Sequence, residues 1–239
     1  MHSSVQNLFI CFVATLGLVA SANPNQVYVN AAWTGPENCG GHTWQTDAFA
    51  TIQAGITAVS AGGTVTVASG CYPERLVIGK SVTLLGPQAG VDPNTPTKED
   101  PFAVNPARAN PAQEATIVPP THEVTLPTGT LITLQADNIT LDGITLDGDN
   151  PALADGTAVQ DADVNAALGI DTSNGDLQGA LIAHNIIRNF AAGGVRFHCP
   201  VLPKQAKGMN AILYNRIANT SVENPGIWVH GQYVQVAHN

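Results

Sequence analysis

Across residues 62–86, β-branched apolar residues alternate with polar ones in three short bursts. Val65 and Val67 alternate with Thr64 and Thr66; Leu76 and Ile78 follow a turn at Gly70–Pro73, and Val82 and Leu84 follow another at Gly79 and Lys80. Period-two alternation bounded by Gly and Pro predicts strands. Neither connection carries the Asn-Gly or Asp-Gly pair of a two-residue hairpin. A chain that turns the same way at each corner coils instead, each turn stacking on the one before.

The flanking segments extend this pattern. Residues 26–30 (QVYVN) form a further expected strand, and 35–41 a loop. Over 47–60 the period changes: Phe49, Ile52, Ile56 and Val59 fall on one helical face, with Asp47 as the expected N-cap and Gly62-Gly63 as the stop. One amphipathic helix ahead of a stack of strands would cover the first open edge. Residues 87–114 hold six prolines and few apolar residues, which reads as a long surface excursion. Strands resume at 116–118, 131–134 and 139–147.

From there the chain repeats. Ile182-Ala183-His184-Asn185, Ile212-Leu213-Tyr214-Asn215 and Val236-Ala237-His238-Asn239 match in type, with 140–143 as a weaker copy. Asp147, Asn189 and Asn219 stand at a second recurring position. Each turn then restarts at Gly169-Ile170, Gly194-Val195 or Gly226-Ile227. Units this short cannot each bury a core, so stacking is required. Asn185, Asn215 and Asn239 would then form a side-chain ladder at one corner.

Composition narrows the classes. Aromatic residues make up 5% and charged residues 11% of the 239, alongside 23 Gly and 16 Pro, which suits short strands and turns rather than helical bundles. A formal charge of −9 with only nine Lys plus Arg argues against a nucleic-acid partner. An apolar run at 8–19 ends in Ala20-Ser21-Ala22, a small-residue cleavage pattern. It is too short to span a bilayer and reads as a signal peptide over 1–22, so a secreted or cell-surface protein is expected, with no transmembrane segment after cleavage. Cys39, Cys71 and Cys199 would remain. A Cys39–Cys71 disulfide and three buried unpaired thiols are both open readings.

The run 49–86 (FATIQAGITAVSAGGTVTVASGCYPERLVIGKSVTLLG) resembles the opening of right-handed parallel β-helix proteins of the pectin-lyase-like superfamily, and the Asn-rich copies after Gly169 look like its later coils. The resemblance implies an all-β fold, a right-handed parallel β-helix (solenoid) with an N-terminal capping helix, over 23–239. It would carry a Pro-rich insertion at 87–114 and an acidic loop at 148–168. The sequence stops at Asn239 inside a copy, so further coils are expected beyond it. This fold hosts lyases, hydrolases, esterases, epimerases and non-catalytic surface proteins. Neither the Gly-His-Gly and Arg-Ile-Lys motifs of polygalacturonases nor the Gln-Asp-Thr and Gly-Arg-Pro-Trp motifs of pectin methylesterases occur.

Aligning the restarts places Ile170, Val195 and Ile227 inward, with Thr172, Phe197 and Val229. Asp171, Arg196 and Trp228 fall in one outward column and Ser173, His198 and His230 in the next. Neighbours in a column are ~4.8 Å apart. Asp171, Ser173 and Trp228 are the expected substrate-binding residues, with Trp228 as a stacking platform. Arg196, His198 and His230 are the candidate catalytic residues, an Arg or His serving as base in a β-elimination. The same residues also read as a solvated strand face with Asp171–Arg196 a surface ion pair.

No Lys or Arg lies between Arg108 and Arg188, while aspartates accumulate there. Asp147, Asp149 and Asp171 are the candidate ligands for calcium, which lyases of the resembled superfamily use to neutralise a uronate; a solvated Asp-rich loop is the alternative. The resulting expectation is a protein that engages extracellular polysaccharide along an outer strand face, its catalytic form being a calcium-assisted polysaccharide lyase. The alternative is a non-catalytic cell-surface or adhesive module.

Overall fold

The computed structural model describes residues 23–120, 129–153, 157–159, 162–172, 176–199, 208–220, 225–231 and 234–239. The expected signal segment 1–22 and Ser173 lie outside them. The chain enters through β1 (Gln26–Val29), β2 (Ala48–Phe49) and the helix α1 (Ile52–Ala58). It then passes repeatedly through three walls. The first turn runs β3 (Thr64–Val67), β4 (Gly70–Pro73) and β5 (Leu76–Ile78); the second runs β6 (Val82–Leu85), β7 (Ala115–Val118) and β8 (Thr130–Leu134). The third has β9 (Ile139–Asp142) and β10 (Thr145–Asp147), then a ribbon of β11 (Thr157–Val159) and β12 (Ala162–Val164), then β13 (Leu168–Asp171). Next come β14 (Leu181–Ala183), β15 (Ile186–Phe190) and β16 (Gly193–His198), followed by β17 (Asn210–Leu213), β18 (Arg216–Thr220) and β19 (Ile227–His230), and finally β20 (Val234–Ala237).

Strands of successive turns pair in parallel. The first wall is an eight-stranded sheet, β2-β1-β3-β6-β9-β14-β17-β20. The second (β18-β15-β10-β7-β4) and third (β19-β16-β13-β8-β5) are five-stranded. The protein is therefore all-β with mostly parallel sheets, the arrangement of a β-solenoid. The exception is β11–β12, which pair antiparallel inside the stretch expected to be an acidic loop.

The core is built from inward columns. On the first wall Val65, Leu84, Leu141, Ile182 and Ile212 stand in register and are buried. Tyr72, Ile117, Leu146 and Ile187 do the same on the second wall, and Leu76, Ile132, Ile170 and Val195 on the third. Each such side chain contributes about 1.5–3 kcal/mol by leaving water. Tyr72 takes its phenol inside by donating to the Ala68 carbonyl at 2.8 Å, and burial pushes its pKa up to about 12.

Two corners repeat by side-chain ladders. Asn185 Nδ2 donates to Asn215 Oδ1 at 3.1 Å, and Asn215 Nδ2 to Asn239 Oδ1 at 2.9 Å. The residues just before them, His184, Tyr214 and His238, hold φ of 53°, 55° and 56°, and their rings stack with interplanar angles of 9° and 3°. In the turn below, Gly143 takes the left-handed corner at φ 72°, where a Cβ would lie 2.1 Å from the Ala89 nitrogen. At the second corner Asn219 Nδ2 donates to Asn189 Oδ1, and Asn189 Nδ2 to Asp147 Oδ1. Asp147 itself stands opposite Arg188, one position out of the expected Asn column.

The helix differs in detail from the expectation. It begins after Thr51, whose hydroxyl accepts from the Ala54 nitrogen, and Phe49 belongs to β2. Asp47 does not cap it; its carboxylate accepts from the Thr43 nitrogen and pairs with His42. The local reason is that a carboxylate from the next turn takes the amides at the start: Glu74 accepts from Ile52 N at 2.8 Å and Gln53 N at 2.9 Å. Lys80 donates to the Thr57 and Val59 carbonyls at the other end. Buried Ile52 and Ile56 face the coil, and a Cβ on Gly55 would meet Val29 at 2.8 Å.

Cys39 and Cys71 are not joined: Cys39 is buried with its sulfur at the His42 carbonyl (2.9 Å), and Cys71 is exposed on β4. Cys199 is buried beside the His230 carbonyl. Among the described residues, no helix is long and apolar enough to cross a membrane.

Candidate functional site

The third wall brings the expected outward residues together. Register carries one column from Val77 through Thr133 and Asp171 to Arg196 and Trp228, and pairs His198 with His230 in the next. Residues 25 and more positions apart in sequence become neighbours because the parallel ladder fixes which residue stands beside which.

Asp171 is 5% exposed, and Arg196 closes over it with two hydrogen bonds, Nε to Oδ1 at 2.9 Å and Nη2 to Oδ2 at 2.6 Å. This fork is the strongest geometry a carboxylate and guanidinium adopt. The Asp171 hydrogen bond raises the Arg196 pKa above its ordinary value, opposed by burial. Arg196 is therefore a poor base.

Trp228 is 50% exposed at the open side of Arg196. The His198 ring lies 6.0 Å from it and 5.5 Å from His230, tilted by 57° and 45°. The backbone under His198 is fixed by Thr172, whose hydroxyl accepts from the His198 nitrogen at 2.6 Å and lies 3.2 Å from its carbonyl. Thr172 is fully buried, so the imidazole stands on a rigid base while its ring reaches the surface.

Two of the three candidate calcium ligands stand on different walls. Asp147 ends β10 on the second wall and Asp149 follows it, whereas Asp171 ends β13 on the third wall. The Asp147 and Asp171 carboxylates also have other partners. Asp147 accepts from Arg188 Nε at 2.8 Å, Asn189 Nδ2 at 2.7 Å and the Asp149 nitrogen at 3.1 Å, while Asp171 holds Arg196. Burial, then the charges of Asp147 and Asp163, raise the Asp149 carboxyl pKa. Among the described residues no group of three or more His, Cys, Asp or Glu is placed to hold a metal.

Sequence reasoning missed a concave region on the second wall. The excursion at 87–114 folds back there, carrying two short 3₁₀ turns, Pro106–Arg108 and Pro111–Gln113, each capped by the Asn before it. A groove of about 460 Å³ runs between Arg108, Pro111 and Glu114 of the excursion and Thr145, Arg188 and Arg216 of the wall. A second, of about 480 Å³, shares Pro111, Thr116 and Arg188 with it and continues to Cys71, Asp147 and Asp149. The excursion is pinned by Arg108, which donates to both Glu114 oxygens at 2.7 and 3.0 Å and to the Val91 and His184 carbonyls. A Pro-rich stretch with isolated charges gives no periodic signal, which is why this wall could not be anticipated.

No protein-family model, curated protein or solved structure matches the chain.

Proposed function

We propose that the protein is a secreted, right-handed parallel β-helix that binds an extracellular polysaccharide along the outer face of the third wall. Right-handedness follows from the near-universal hand of parallel crossover connections. The likeness of 49–86 to pectin-lyase-like proteins and the apolar run ending at Ala20-Ser21-Ala22 support the coil type and the export route. In this reading α1, held by Glu74 and Lys80, caps the first turn.

The observation that carries the binding reading is the exposed Trp228 in register with Arg196 and flanked by His198. A rigid strand presents the indole without a large ordering cost, and sugar rings stack on such a surface. Hydroxyl groups of the same ligand reach the guanidinium edge left open by Asp171 and the two imidazoles. Cleavage draws less support from the geometry: Asp147 and Asp171 stand on different walls, and Arg196 is held in its ion pair with Asp171. Binding is accordingly the function we propose.

Binding to immobilised plant and microbial polysaccharides, with Trp228→Ala as the control, tests it. Retention by at least one polymer, reduced about tenfold or more in the variant, supports the reading, since one stacked ring is worth roughly 1–3 kcal/mol by analogy with base stacking. Equal retention of both proteins removes it. A rise in absorbance near 235 nm with a uronate polymer would instead establish a lyase.

A further inference from the structure

Resting on the polysaccharide reading above, we infer that this face selects neutral sugars and discriminates against uronates, because Asp171 occupies the guanidinium that an acidic sugar would need. Acidic polysaccharides are recognised by forked hydrogen bonds from Arg to the ligand carboxylate. On this face the fork is already closed inside the protein: Nε and Nη2 of Arg196 both point at Asp171. The pair is also asymmetric in exposure, the guanidinium at 32% and the carboxylate at 7%. Water and ligand thus meet the outer N–H groups of a cation whose charge is cancelled from behind.

Those outer N–H groups still donate to hydroxyls, which need direction but no net charge. A uronate carboxylate would gain the guanidinium's attraction and meet Asp171 repulsion a few ångströms further in. The wider field is unfavourable too, with a formal charge of −9 on the chain. The rest of the column, Val77, Thr133 and Trp228, adds no cation. Hydroxyl donors, an indole face and a neutralised Arg together describe a surface for an uncharged glycan.

The test measures binding of the full chain to a neutral glucan, a neutral xylan and polygalacturonate across a salt series, for the unaltered protein and for Asp171→Asn. Asparagine preserves the shape and one acceptor while removing the charge behind Arg196. The unaltered protein is expected to prefer a neutral polymer, with an affinity that changes little with salt. Asp171→Asn is expected to gain about tenfold for polygalacturonate, the scale of one hydrogen bond to a charged group, and this gain is expected to fade as salt rises. Stronger, salt-sensitive binding of polygalacturonate by the unaltered protein overturns the selectivity while leaving polysaccharide binding intact. A folded Asp171→Asn that gains nothing for polygalacturonate also overturns it. Binding of none of the three polymers by either protein overturns the underlying reading together with the inference. The salt series on the unaltered protein decides the matter even where Asp171→Asn does not fold.

Discussion

The central rung of the asparagine ladder offers a direct measure of what holds the coil in register. Asn215 is fully buried. Its Oδ1 accepts from the Asn185 backbone nitrogen at 3.0 Å and from Asn185 Nδ2 at 3.1 Å. Its Nδ2 faces the Ile182 carbonyl at 2.9 Å, the Leu213 carbonyl at 3.0 Å and Asn239 Oδ1 at 2.9 Å. Asn215→Ala strands the Asn185 N–H in the interior and removes the amide facing Ile182. Each buried group left without a partner costs about 1–3 kcal/mol. Carbonyls retain a second lone pair for strand bonding, so the sum is about 3 kcal/mol rather than the maximum. Asn239→Ala removes an equivalent pair, an acceptor for Asn215 N and a donor to the Ile212 carbonyl, at a site that water reaches, and should cost about 1 kcal/mol. Urea midpoints followed by far-UV circular dichroism give the two values, and hydrogen exchange should show the Asn185 amide losing protection selectively in Asn215→Ala. A smaller loss at position 215 than at 239, or an unchanged Asn185 exchange rate, would refute the argument that these amides set the register.

The pin under the excursion should behave as a buried ion pair: Glu114→Gln leaves the fully buried Arg108 guanidinium unpaired and should cost about 3–5 kcal/mol in urea unfolding, more than the paired replacement Arg108→Met with Glu114→Gln. Thr145 donates to the same carboxylate at 2.9 Å, so Thr145→Val should destabilise by about 1 kcal/mol. Asp149→Asn should raise the melting temperature at pH 7. The folded carboxyl titrates above its unfolded value, so the ionised form is disfavoured by folding; the gain should shrink as pH falls through the folded pKa and vanish below the ordinary carboxylate range. A gain that persists at pH 2 would locate its origin elsewhere.

Much of this was legible because a coil converts one-dimensional spacing into lateral contact. The restarts at Gly169, Gly194 and Gly226 were enough to place Asp171, Arg196 and Trp228 in one column, and His198 beside His230. The asparagine ladder followed from the same spacing. The same geometry sets two of the candidate calcium ligands apart, since Asp147 and Asp171 belong to different walls of one turn. Counting aspartates reports local density, whereas the walls separate residues that density lumps together. The helix start was misplaced because the apolar face was extended back to Phe49, which belongs to β2; Thr51 is the local cap, and Glu74, 22 positions from Ile52, takes further amides of the first turn. The second-wall grooves were invisible for a related reason, their lining being assembled from an aperiodic excursion and strands of several successive turns.

The contrast between inward and outward columns bears on what the third wall is for. Inward, Leu76, Ile132, Ile170, Val195 and Ile227 repeat one kind of side chain through every turn, because the interior accepts little else. Outward, the same strands read Val77, Thr133, Asp171, Arg196 and Trp228, with no two alike. Stacking imposes no such variety. A face maintained only for solubility would be met by any polar residue at each level. Here a carboxylate is instead drawn inside and spent on one guanidinium, while the largest aromatic side chain is left half in solvent beside it. That arrangement is unnecessary for the coil and is what the proposed binding of uncharged, hydroxyl-rich rings would use.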